Sequence, residues 1–403
     1  MGRSVRLGIA LLLCLPLLAQ LDLREDEVNA ERNRKAQSLT PDEPSALEKR
    51  LEDVRETSFL NRITARIEGL RIKFGGLVSG SGFAVGPQYS RPDLWRGRVS
   101  LRTSARGSIK RYYQVDFGLS LPKLAGNKAF VDLYSAHRDY PRMQYYGPGP
   151  RSRKTGRSDF RLEETLVEVR PGVKPLPHLK TGLIGGFQAF NVGPGTDHRF
   201  VSSERIYSAP ATPGIDRQTS FLQGGAFVQY DYRNLPGEPT RGGNYLAQYT
   251  VFSDRDLHLH AFNRWDLEVQ QYIPFFNDKR VIALRARSSL TGAHRGQVVP
   301  FYLQPVLGGS ETLRGFRPFR FYDDNAVLLN GEYRWEVFSG LDMALFADGG
   351  KVFHRRAEWN LHDLQASFGI GMRFNVRDSV FLRIDAGLSH EGFQIWFKFN
   401  NVF

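Results

Sequence analysis

Within this 403-residue chain, the residues best placed to do chemistry lie at 308–321, Gly-Gly-Ser-Glu-Thr-Leu-Arg-Gly-Phe-Arg-Pro-Phe-Arg-Phe. Arg314, between Leu313 and the pair Gly315-Phe316, is either a solvated loop charge or the anchor of a larger assembly. A guanidinium keeps its charge and offers parallel donors to a carboxylate, which suits it to holding a long loop in one place. A second polar group follows at Phe346-Ala347-Asp348-Gly349-Gly350. Catalytic signatures are missing: the chain has no Gly-x-Ser-x-Gly elbow and no His-Glu-x-x-His pair. These absences argue against an α/β-hydrolase or a zinc protease, so no enzymatic activity and no cofactor are expected. His258 and His260 are expected to share a strand face, but no third ligand accompanies them and no metal site is predicted. Gly147-Pro148-Gly149-Pro150 reads as a rigid turn, because a phosphate loop would need a following helix and lysine.

The elements that must position these residues begin after a leader. Residues 1–19 carry Arg3 and Arg6 and an apolar run from Leu7 to Leu18, too short to span a bilayer, and read as a secretory signal peptide. Cys14, the only cysteine, falls inside that run, so the mature chain is expected to hold neither disulfides nor a cysteine metal site. Residues 20–70 are charged and helix-like: Thr40-Pro41-Asp42-Glu43 has the form of a helix start, and Leu47, Leu51 and Val54 recur at helical spacing. This segment is expected to be a periplasmic tether or a plug.

From Arg71 to Phe403 the period is two. Val327, Leu329, Tyr333, Trp335 and Val337 alternate with Asn330, Glu332, Arg334 and Glu336. One face asks for lipid and the other for water. No later run of about 18 apolar residues exists for a membrane helix, while 29 Phe, 16 Tyr and 40 Gly suit a transmembrane β-barrel. Counting such segments predicts an all-β antiparallel barrel of about sixteen strands over residues 71–403, near 71–78, 82–90, 97–107, 110–122, 128–139, 159–170, 178–192, 221–233, 243–253, 258–273, 279–290, 326–338, 341–350, 364–375, 379–388 and 393–403. The long links at 140–158, 193–220, 291–325 and 351–363 then share the outer side, and compact turns such as Pro171–Pro177 the inner. The last strand carries Phe397, Phe399 and a terminal Phe403, a pattern that resembles the recognition signal of outer-membrane barrels.

Gly308-Gly309 with Leu313-Arg314-Gly315-Phe316, five strands before the end, and Phe346, Asp348 and Gly350 on the next strand but one, resemble the two signatures of the BamA/TamA (bacterial surface antigen) superfamily. Tyr230-Asp231-Tyr232-Arg233 with Pro239 and Gly242 is similar to a third, weaker pattern of that family. The resemblance implies that the sixth outer loop folds back into the lumen, where Arg314 meets Asp348, with Glu332 as a second acceptor. An inward carboxylate without a partner would be costly, and Gly315 allows the loop to run beside the wall. Family members carry polypeptide-transport-associated (POTRA) modules before the barrel, and the stretch before Arg71 has no strand pattern for one.

The resemblance implies insertion or translocation of proteins or lipids at the bacterial outer membrane through a seam between the first and last strands. Expected partners are outer-membrane lipids including lipopolysaccharide, unfolded outer-membrane proteins, or a periplasmic protein. The alternative is a passive pore, in which inward Arg285, Arg287, Arg334, Arg373 and Arg383 favour anions. Arg151, Arg153, Lys154 and Arg157 are either a solvated loop or a site for lipopolysaccharide phosphates. The formal charge of +13, about +11 without Arg3 and Arg6, is not read as nucleic-acid binding, since no basic helix or zinc-finger spacing accompanies it.

Overall fold

The computed structural model describes residues 68–403 except 216, 277–278, 339, 376–379 and 400–403. The expected tether at 20–70 therefore lies almost wholly outside the described residues, as do the leader and Phe403. All sixteen strands read from the sequence are present, joined neighbour to neighbour into one antiparallel sheet. In chain order they are β1 (Leu70–Gly75), β2 (Ala84–Asp93), β3 (Val99–Ser108), β4 (Tyr113–Leu124), β5 (Ala129–Tyr145), β6 (Ser158–Leu176), β7 (Leu179–Pro194), β8 (Thr219–Asp231), β9 (Gly242–Asp254), β10 (Phe262–Phe275) and β11 (Arg280–Ala293). A two-stranded ribbon, β12 (Val306–Leu307) with β13 (Phe321–Tyr322), stands apart from the sheet, which resumes with β14 (Asn325–Phe338), β15 (Leu341–Phe353), β16 (Gln365–Asn375), β17 (Val380–Ser389) and β18 (Gly392–Phe399).

The two faces of the sheet are inverted relative to a water-soluble protein. Leu345, Phe368 and Phe397 are 51%, 60% and 62% exposed on the outside, whereas Glu332, Arg334, Asp348, Arg373, Arg383 and Asp385 are buried inside. Such a surface is stable only where hydrocarbon is the solvent, so the strands cross a membrane and the lumen holds the polar groups. No helix among the described residues is long and apolar enough to cross one.

The long connections between β5 and β6, β7 and β8, β11 and β14, and β15 and β16 all lie at one end. There Tyr145, Phe160, Phe301 and Tyr322 belong to a packed apolar cluster that includes Tyr140, Phe190, Phe221 and Phe262. The rings of Phe160 and Phe301 meet edge to face at 4.7 Å.

Two expectations need correction. The turn expected over Pro171–Pro177 is strand as far as Leu176, with His178 in the left-handed region at φ 64. Register shifts between Val173 and Leu176 and between Tyr140 and Met143 accommodate Pro175 and Pro141, because a bulge spares the ladder a missing N–H. His258 and His260 do not share a strand face, since β10 begins only at Phe262. Asp254 instead gathers the amides of Asp256, Leu257, Leu259 and His260 into a tight loop, with His258 at φ 55.

The ends of the sheet, β1 and β18, come together without a ladder: among the described residues no register pair joins them. They touch, since a Cβ on Gly75 would stand 3.2 Å from the Cβ of Phe399, and the rings of Phe83 and Phe399 lie 5.7 Å apart.

Candidate functional site: an arginine loop pinned inside the barrel

The connection between β11 and β14 enters the lumen as a ribbon. Gly308 and Gly309, at φ 111 and 103, start its tip in a conformation that side chains disfavour. Short local bonds close it: Gly308 N donates to Thr312 Oγ1 at 2.8 Å and Phe316 N to the Leu313 carbonyl at 3.1 Å. Leu313 and Phe316 anchor it by packing with Leu307, Phe321, Ala326, Leu328 and Val352.

Arg314 is 2% exposed and meets Asp348 three ways. Its backbone N–H and Nε both donate to Oδ2 at 3.0 Å, and Nη2 donates to Oδ1 at 2.6 Å. Asn330 Nδ2, at 2.8 Å, and Ser367 Oγ, at 3.3 Å, complete the shell around that carboxylate. Nη1 donates to Glu332, and the guanidinium lies 3.6 Å above the ring of Phe346, a cation–π contact. The two-residue spacing of Phe346 and Asp348 along the strand puts both on the inner face, one beneath the cation and one beside it.

Glu332 is shared. Arg334 Nε donates to it at 2.6 Å and Arg373 Nη2 at 2.9 Å, while Arg373 Nη1 donates to Asp385 at 2.7 Å. Arg383 Nε stands 2.8 Å from Asp385 Oδ2 as an ionic contact, and its Nη2 donates to the carbonyl of Ser310 at 2.6 Å. Four arginines and three carboxylates thus form one buried knot. Of the arginines expected to line an anion pore, Arg334, Arg373 and Arg383 are consumed here and Arg285 pairs with Glu268 at 2.8 Å. Only Arg287 is an exposed lumen charge among those five.

Gly315 and Gly387 let the loop lie on the wall. A Cβ on Gly315 would come within 2.7 Å of the Leu388 backbone, and one on Gly387 within 2.6 Å of the Arg314 carbonyl oxygen. Gly315 is therefore required for close approach rather than for a left-handed turn. Gly350 is similarly tight, 2.8 Å from the Val327 carbonyl.

Several participants were not singled out from the sequence. Trp396 Nε1 on β18 donates to the Arg314 carbonyl at 2.7 Å, and Ser389 Oγ to that of Gly315 at 2.8 Å. Arg320 is 2% exposed; its Nε donates to Glu391 at 2.8 Å and its Nη2 to the Ser152 carbonyl at 2.6 Å. Its position in the Phe-Arg-Pro-Phe-Arg-Phe run was a usable signal, since an arginine between two aromatic residues is set up for stacking, and it lies 4.6 Å from the ring of Phe321. Phe397 is on the lipid face and Phe399 lies at the seam. Asp323, Asp324 and His354 cluster closely enough to hold a cation, with His354 Nδ1 2.9 Å from Asp324 Oδ2.

Comparison with known proteins places this geometry. The Omp85 superfamily domain matches residues 188–384, a span that includes both Arg314 and Asp348. The fold is similar to BamA from Haemophilus ducreyi lacking POTRA domains 1–3, with a TM-score of 0.60 and 17% identity over 82% of this chain and 69% of that one. It is also similar to CdiB from Escherichia coli, with a TM-score of 0.53 and 14% identity over 82% of this chain and 62% of that one. A comparison with curated proteins returned no match. The barrel, its inward loop and the domain match agree: residues 188–384 match the Omp85 superfamily domain, within a barrel whose fold is shared with BamA.

Proposed function

We propose that this barrel takes part in inserting or translocating proteins or lipids at the outer membrane, by parting β1 from β18. The seam supports this most directly, since the two strands touch without a ladder among the described residues. In this proposal Arg314, Asp348 and Glu332 hold the loop as a fixed strut, Leu313, Phe316, Phe346 and Gly350 pack it, and residues 1–19 direct export. Unfolded outer-membrane proteins would be the clients, and a periplasmic partner would deliver them. Lipopolysaccharide would surround the long-loop end. The competing reading, a passive anion pore, is weakened by the packed aromatic cluster at that end and by the pairing of the lumen arginines.

The test is reconstitution of the full protein in liposomes, followed by addition of an outer-membrane barrel denatured in urea. Faster folding of that client than in protein-free liposomes is expected. Equal rates, with the reconstituted protein itself folded, would remove the insertion proposal and leave translocation or conductance to be measured.

A further inference from the structure

A second concentration of positive charge lies at the long-loop end, apart from the pinned loop. Arg157, in the connection from β5 to β6, lays its guanidinium over the ring of Phe200 at 3.9 Å. Its Nε is buried and has no hydrogen-bond partner. Leaving a charged donor buried without an acceptor is costlier than leaving a neutral one. Arg199 stands 5.6 Å from the same ring and spends its own fork on Asp197, at 2.8 and 2.7 Å. Arg142 Nε reaches Thr196, the neighbour of Asp197, at 3.2 Å. Lys110, from the connection between β3 and β4, ends on the carbonyl of Gly80 at 2.7 Å rather than on a carboxylate.

These cations burden one another. Burial lowers the pKa of Lys110, and the charges of Arg199, Arg142 and Arg157 push it the same way. Burial likewise lowers that of Arg157, with Arg317 and Arg199 adding to the effect. Two carboxylates offset part of the group: Asp197 is engaged by Arg199, and Asp159 accepts the amide of Asp197 at 2.8 Å on Oδ2 while its Oδ1 is buried without a partner. The cluster holds more cations than anions, and Arg157 Nε is a donor without an acceptor on a side chain held in place by an aromatic ring.

We propose that Arg157, with Lys110, Arg142 and Arg199, forms a binding site for a phosphate group at the long-loop rim. A phosphate carries several acceptor oxygens and at least one negative charge, matching a guanidinium fork with further cations around it. The stacking of Arg157 on Phe200 spares much of the entropy that binding would otherwise cost. The phosphate could come from the headgroup of an outer-leaflet glycolipid or from solution. The site does not depend on whether the seam opens, so it stands or falls separately from the proposed function.

The experiment uses the full protein in nanodiscs containing either bisphosphorylated lipid A or lipid A stripped of both phosphates, with bound lipid quantified by native mass spectrometry. Retention of the phosphorylated lipid at least about tenfold better than the stripped one is expected, since charge-assisted hydrogen bonds of this kind are worth that much or more. Arg157→Gln and Lys110→Gln should each lose most of that preference, while Arg255→Gln, on an exposed residue of the β9–β10 connection, should keep it. Each variant is first shown to have the heat-modifiable mobility of the folded barrel. Displacement of the lipid by inorganic phosphate would assign the site to phosphate in solution as well. Equal retention of both lipids without any effect of inorganic phosphate, or equal behaviour of Arg157→Gln and Arg255→Gln, would overturn the site.

Discussion

Arg314 does not act as an isolated ion pair. It adds one positive charge to a knot that already holds Arg334, Arg373 and Arg383 around Glu332, Asp348 and Asp385. Removing one partner from a buried pair costs about 3–5 kcal/mol, because the other charge stays behind without compensation. Arg314→Ala should fall in that range, since Asp348 would keep only Asn330 and Ser367 as side-chain donors. Glu332→Gln changes almost no volume, yet it removes the acceptor common to Arg314, Arg334 and Arg373 and leaves four arginines facing two carboxylates. It should therefore destabilise the barrel at least as much as Arg314→Ala. Urea-unfolding midpoints of the two folded variants decide this, and a Glu332→Gln midpoint equal to wild type would mean that charge balance does not hold the knot. Asp348 and Glu332 were legible in the sequence because strand alternation assigns each residue a face. The extent of the knot was not, because alternation says nothing about which inward charges on different strands are close enough to pair.

At the level of the element, the loop is positioned by glycines as much as by charge. Gly387 on β17 sits against the carbonyl of Arg314, and the atoms that a Cβ would meet there are backbone, which cannot rotate aside. Gly387→Ala should therefore push the loop off the wall while leaving every charged partner in place, at about 1–3 kcal/mol, the usual cost of overpacking. Gly185→Ala on β7 is the matched control, since a Cβ there meets nothing within 4 Å. Trypsin digestion in detergent reads the outcome: new cleavage after Arg314 or Arg320 is expected in Gly387→Ala only. Strand number and order followed from period-two patterning, but the ends of β5 and β6 did not. Pro141 and Pro175 argue against a continuing strand, and a bulge, which depends on the partner strand's register, lets the ladder continue past each of them.

Across the whole molecule the loop is fastened unevenly to the two sides of the seam. Toward the C-terminal side it is tied to β17, β18 and the hairpin between them by Arg383 to the Ser310 carbonyl, Ser389 to Gly315, Trp396 to Arg314, Arg320 to Glu391 and Lys398 to Glu311. Toward β1 the side-chain hydrogen bond is Ser79 Oγ to Ser310 Oγ, 2.9 Å apart, beside a close approach of Gly80 to Pro318. If the seam parts, the weaker fastening should yield, so β18 stays with the loop and β1 moves away with the segment that carries Ser79. A disulfide can replace that contact, because its geometry needs Cβ atoms only about 3.5–4.5 Å apart and these two side chains already touch. Ser79→Cys with Ser310→Cys should therefore cross-link under oxidising conditions without disturbing the knot around Arg314. In the liposome assay the oxidised double variant should lose most of its acceleration of client folding, and a reductant should restore it, while each single variant behaves as wild type. Full acceleration by the cross-linked protein would mean that β1 need not leave the loop, and the seam could not then be the route by which a client enters the membrane.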